Sequence, residues 1–189
     1  MSRNHQRLVA VLMFSVAVLF AHVLVADEAI QLADGKLSLK APQGWQRKQP
    51  SSGIVQHEFM IPKAEGDAAD GRMTVMGAGG SIDANIDRWL GQFLDADGKK
   101  LAKDKAKIDK KQIAGEDLVI VDLSGTYLDK PGGPFAPGAA VERKNYRMLA
   151  GVVVTKKLGN YFFKFYGPDK TIEAHEDAFL TMLESLEKK

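Results

Sequence analysis

Asn85, Arg88 and Gln92 stand three and four residues apart beside Trp89. On a helix, at ~100° per residue, Ile82, Ile86, Trp89 and Phe93 share one apolar face, and the three polar side chains line one border of it. Amides and a guanidinium next to an indole are the chemistry of recognition: several hydrogen bonds and a stacking surface. The other possibility is that they tie the helix rim to the sheet or lie in water. Lys164 is the second candidate. In an extended segment Phe162, Lys164 and Tyr166 fall on one face, and Tyr161, Phe163 and Phe165 on the other. A lysine between two rings pairs with an acid, stacks on an aromatic face or lies on the wet side of a sheet. A catalytic amine there would require strong desolvation.

Other chemistries are poorly supplied. The sequence has no cysteine, which excludes disulfides, thiolate metal sites and a cysteine nucleophile. His57 and His175 are the histidines beyond the N-terminal segment, and His57-Glu58 lacks the second histidine of a helical zinc-protease motif. His57 reads as a surface or hydrogen-bonded residue of a strand, and His175 as a solvated residue of the last helix. No Gly-x-Ser-x-Gly elbow surrounds Ser124. A spatial Ser–His–Asp set stays open. Gly77-Ala78-Gly79-Gly80-Ser81 could offer amides to an anion, but it matches neither nucleotide fingerprint, and Asp83 already brings negative charge to that helix start. A tight strand-to-helix reversal is the reading adopted. No metal, cofactor or catalytic residue is therefore assigned.

The elements that must position these residues follow from periodicity. Alternation predicts strands over residues 35–41, 54–61 and 72–76, with Gly44-Trp45 as a turn carrying an aromatic plug. A helix runs from Ile82 to near Leu94 with Ser81 as N-cap. Strands over 107–113 and 117–127 meet through Ala114-Gly115-Glu116, a hairpin signal. The unbroken Leu118-Val119-Ile120-Val121 predicts a central strand covered on both faces. Strands over 146–156 and 160–166 pair across Leu158-Gly159, Gly167-Pro168 ends the second, and a helix opens at Thr171. The pattern is an α+β domain: an antiparallel sheet with helices packed on its faces. The stretch 99–111, with seven Lys and two Asp, reads as a solvated loop and a lysine-guarded edge strand. Residues 129–140 form a Gly/Pro loop with an extended, polyproline-like path that a partner could bind.

Residues 1–26 read as a secretory signal: Arg3 and Arg7, an apolar run from Leu8, and Ala26 before Asp27-Glu28. An uncleaved anchor over residues 8–26 is the alternative. Removing Arg3 and Arg7 lowers the basic count from 26 to 24 against 24 acids, so the mature chain, residues 27–189, is formally neutral. Neutrality argues against a nucleic-acid partner, and membrane contact is expected only through the leader. One domain is expected at this length.

Ala41-Pro42-Gln43-Gly44-Trp45, the run Asn85–Phe93, Gly125-Thr126-Tyr127, Tyr146-Arg147-Met148-Leu149 and Tyr161–Pro168 together resemble a family of small, uncharacterised exported bacterial proteins. The likeness spans most of the mature chain. It implies the PsbP-like α/β/α sandwich, a fold associated with accessory and binding roles, and transfers no active site. Asn85, Arg88, Trp89, Gln92 and Lys164 match the family's recurring polar and aromatic positions. The expectation is an exported, periplasmic or extracellular, non-enzymatic binding or accessory protein of the cell envelope. Its partner would be a protein or another envelope component. The alternatives are a small hydrolase using His57 or His175 and a small-ligand carrier with aromatic strand residues lining a cleft.

Overall fold

The computed structural model describes residues 29–50, 52–130 and 138–189. The leader assigned to residues 1–26, and residues 131–137 of the Gly/Pro loop, lie outside the described residues. Among the described residues no helix is long and apolar enough to cross a membrane.

The fold is mostly antiparallel sheet with a few helices. β3 (Gln46–Lys48), β4 (His57–Ile61), β5 (Gly71–Ala78), β10 (Asn160–Pro168), β9 (Val141–Val154), β8 (Glu116–Asp129) and β6 (Phe93–Leu94) lie side by side in that order. β7 (Lys107–Ile113) pairs with the first half of β8, and β6 with its second half. A small sheet, β1 (Ala29–Leu32), β2 (Leu37–Lys40) and β11 (Glu187–Lys188), stands apart. α1 (Ile82–Leu90) follows β5, and α2 (Asp169–Ala174) and α3 (Glu176–Glu184) follow β10.

Strand alternation sorts the core into two clusters. Tyr161, Phe163 and Phe165 of β10 pack with Leu118 and Ile120 of β8, Ile172 of α2, Phe179, Met182 and Leu183 of α3, and Leu37 and Leu39 of β2. Phe162 packs with Val119, Val121 and Leu123, and with Ile86, Trp89 and Leu90 of α1. Residues 118–121 of β8 are thus buried on both sides, as their unbroken apolar run predicts. The β7–β8 hairpin turns at Ala114 and Gly115, with φ of 49° and 77°, the paired positive values that a two-residue hairpin favours.

Several boundaries differ from the sequence reading. α1 ends at Leu90, not near Leu94: the Gly91 amide bonds back to Asp87, and Phe93 and Leu94 pair with Tyr127 and Thr126 as strand. Phe93 still reaches the core, fully buried, from strand instead of helix. The last helix is broken at His175 into α2 and α3. β10 does not stop at Gly167 but runs through Pro168, because Gly167 lets it pass Gly71 of β5; a Cβ there would sit 2.9 Å from the Gly71 Cα. β4 begins at His57, with residues 54–56 outside the strand. β1, β3 and β11 were not anticipated: β1 is four residues, and β3 and β11 carry only polar side chains on sheet edges.

Candidate functional site

α1 is built to present its rim. The Ser81 hydroxyl accepts from the Ala84 amide at 3.1 Å, so the N-terminal amides are capped within the chain. Ile86, Trp89 and Leu90 face the sheet, and Trp89 meets the Phe162 ring edge-on at 6.1 Å. Asn85 is buried and donates to the Ser81 carbonyl at 3.0 Å, while its Oδ1 accepts from Arg88 Nη2. Arg88 itself is exposed.

Beyond α1 the chain turns into β6, and this turn places Gln92. The Leu128 amide donates to the Gln92 carbonyl at 2.8 Å, clamping the segment to β8. The clamp depends on Gly125, since a Cβ there would collide with the Leu94 carbonyl oxygen. Held so, Gln92 Oε1 accepts from Lys164 Nζ at 2.6 Å, and the Tyr127 hydroxyl accepts from the same amine at 3.1 Å. Nζ also lies 4.4 Å from the centre of the Tyr166 ring and 4.9 Å from that of Tyr127.

The surrounding charges are sorted by strand register. Lys164 lies opposite Thr74 of β5 and Ala150 of β9, and Tyr166 opposite Arg72. Arg72 grips Glu58 through Nε at 2.8 Å and Nη2 at 3.0 Å, and its Nη1 donates to the Tyr166 hydroxyl at 2.8 Å. Arg143 donates twice to Asp129 at 3.3 Å. Asn145, at φ 55°, takes up the register shift between Gly125 and Tyr127, so that Tyr146 still stacks on Tyr127 with centroids 6.0 Å apart.

Both nearby acids are therefore taken. Among the described residues, no carboxylate pairs with Lys164 or Arg88. Burial first, then the positive charge of Arg72, pulls the Lys164 amine down to about 7; Asp129 opposes this and Arg88 adds to it. Burial likewise pushes the Tyr127 and Tyr146 hydroxyls up. The Glu58 hydrogen bonds push Arg72 up. The result is a half-buried amine in a tyrosine setting, within reach of the charge of the exposed Arg88 guanidinium.

The other face of the sheet, toward α2 and α3, holds a contrasting cluster. Arg147 Nε and Nη2 meet Asp122 at 2.9 and 3.0 Å, and Nη1 meets Glu176 at 2.8 Å. Arg147 and Asp122, together with Lys105, Lys107, Ser124, Asp169 and Glu173, line a cleft of about 270 Å³.

The five sequence candidates thus lie on one face: Gln92 contacts Lys164, Asn85 contacts Arg88, and Trp89 packs beneath as core. The histidines lie elsewhere. His57 Nδ1 meets Arg47 Nη1 at 2.7 Å and Nε2 meets the Gln31 carbonyl at 2.8 Å. His175, expected to be solvated, is half-exposed and bonded at both ring nitrogens. Its Nδ1 accepts from Trp45 Nε1 at 3.3 Å, and Nε2 lies 3.0 Å from the Pro62 carbonyl, which pins α2–α3 to the rest of the core. Among the described residues no three metal-binding side chains cluster. Sequence reasoning did not reach Arg72, Glu58 or Tyr146. The polar Arg72 opposite Tyr166 was a signal, but only register exposes it; Tyr146 joins through a bulge that alternation does not foretell.

No protein-family model matches the sequence, and no curated protein matches it. Among solved structures the chain is similar to cyanobacterial PsbP (CyanoP) from Synechocystis sp. PCC 6803. The two share 12% identity over 89% of this chain and 96% of that one, with a TM-score of 0.51. The fold is PsbP-like. Fainter likenesses run to PA94, a Pseudomonas aeruginosa protein of unknown function, and to the Saccharomyces cerevisiae Ran-binding protein Mog1p. Their identities are 12% and 8%, they cover 86% of this chain and 97% and 95% of theirs, and their TM-scores are 0.44 and 0.45.

Proposed function

We propose that this chain is an exported accessory protein of the cell envelope that works by contact, through the α1 side of its sheet. The observation that carries the reading is the convergence of Asn85, Arg88, Gln92 and Lys164, with two cations that no carboxylate neutralises, on one rim. Even a half-buried amine without an acid is costly to the fold, and such costs concentrate where a protein meets something else. The PsbP-like fold, associated through the sequence resemblance with accessory and binding roles, supports the same reading. A photo-cross-linking residue at position 88, expressed in native envelopes, forms defined adducts, whereas the same residue at Glu173, exposed on α2, does not. Adducts at 173 with none at 88 overturn the reading. Export by residues 1–26 is part of it: the intact mass of the exported protein lacks that segment.

A second reading rests on the same amine. A lysine held near neutrality is a carbonyl nucleophile, and an enzyme forming an imine would use it. Borohydride trapping of a small aldehyde on Lys164, with turnover of that aldehyde lost in Lys164→Arg, favours an enzyme. For the hydrolase alternative, turnover lost on His57→Ala or His175→Ala is the corresponding sign.

A further inference from the structure

We propose that Arg88 and Lys164 form a receptor for a carboxylate carried by an acidic segment of the partner protein. The inference rests on the contact reading above and names the chemistry of what is contacted. The charges argue it first. Every group facing the amine is accounted for: Arg72 of β5 is occupied by Glu58 of β4, and Asp129 of β8 by Arg143 of β9. Tyr127 and Tyr166 bring rings and a hydroxyl to it, Tyr146 stacks behind Tyr127, and Arg88 of α1 adds a like charge. What the face lacks is one negative charge.

The donors argue it next. Two hydrogens of the Lys164 ammonium go to Gln92 Oε1 and the Tyr127 hydroxyl, and an ammonium has three. Arg88 uses Nη2 on Asn85, which leaves Nε and Nη1 of its planar fork, a geometry suited to a carboxylate. Asn85, buried and anchored to the Ser81 carbonyl, holds that fork in place. The partner reaches an open rim, because Arg88 is exposed. The outer acids of the helix, Asp83 and Asp87, are drawn toward Lys103 at 3.5 and 3.9 Å.

A carboxylate seated there favours the charged amine, so binding takes up a proton on Lys164. The test uses the exported protein labelled with ¹³C in lysine. An acetylated, amidated hexaglutamate peptide is titrated against a hexaglutamine control, and the Lys164 side-chain resonance is followed. The expected result is a saturable shift with hexaglutamate alone. From pH 6 to pH 8 its affinity falls about tenfold, as the amine passes through its own titration. Arg88→Gln, on an exposed side chain, weakens binding at both pH values. Lys164→Arg, always charged, keeps the binding and removes its pH dependence. Equal shifts with hexaglutamine, affinity independent of pH, or unchanged affinity in Arg88→Gln each overturn the proposal. Adducts at position 88 with no hexaglutamate shift leave the contact face standing and remove the carboxylate. Proton-linked hexaglutamate binding with no adduct at 88 does the reverse.

Discussion

Arg147 and Lys164 are two cations of the same large sheet, and the chain treats them in opposite ways. Arg147 meets two carboxylates, Asp122 and Glu176, and ties the sheet to the start of α3. Lys164 meets an amide, a phenol and two aromatic faces. The same contrast runs along β10: Tyr161, Phe163 and Phe165 enter a core of aromatic and aliphatic side chains, while Phe162, Lys164 and Tyr166 alternate apolar and polar on the α1 side. One face is packed for stability. The other, although packed around Phe162 and Trp89, also holds an amine with no carboxylate partner among the described residues.

The largest effect belongs to the packed face. Phe165→Ala removes a fully buried ring that touches Trp45 and Phe179 at centroid distances of 5.1 and 5.4 Å. Equilibrium urea unfolding is expected to show a loss of about 3–5 kcal/mol. A loss below about 1 kcal/mol would erase the distinction between the faces.

Gly125→Ala probes the clamp that joins them. The new methyl meets the Leu94 carbonyl, and the φ of 155° suits glycine alone. The expected cost is about 1–3 kcal/mol, with a shifted Lys164 resonance as Gln92 moves. An unshifted resonance separates the clamp from the site.

Lys164→Met sharpens the contrast through pH. A lysine held near 7 in the fold and near its ordinary value when unfolded binds more protons unfolded between those limits. Its penalty is complete below pH 7 and is relieved as pH rises toward 10. The native protein should therefore gain on Lys164→Met across that window, by no more than about 1.4 kcal/mol per pH unit. Parallel stability curves from urea melts would contradict this.

Arg88→Gln is the smallest. On an exposed rim it changes stability by less than about 0.5 kcal/mol while removing half of the carboxylate receptor. A larger loss in the melt would make Arg88 a structural residue.

Much of this was legible in the residues. The alternation of Tyr161–Tyr166, the apolar run at 118–121, the Ala114-Gly115 turn and the Ser81 cap each specify their own local geometry, and the structure has them there. The border shared by Asn85 and Arg88 and the lysine that breaks an aromatic strand are both legible in the sequence. What was not legible depends on distant pairing. The spacing of Phe93 fits a helix, but Tyr127 recruits it as strand. The acids beside His175 point to a solvated residue, and the bond that holds its half-exposed ring comes from Trp45, 130 residues away. That Glu58 and Asp129 are already engaged, so that Lys164 has no acid, is a property of register and bulge which no stretch of sequence states by itself.

The most direct measurement is the titration of each lysine side chain by ¹³C NMR in the native protein and in Lys164→Met. The account predicts one lysine with a midpoint at about 7, present in the first and missing from the second. Every lysine titrating near the ordinary value of 10.5 would contradict it.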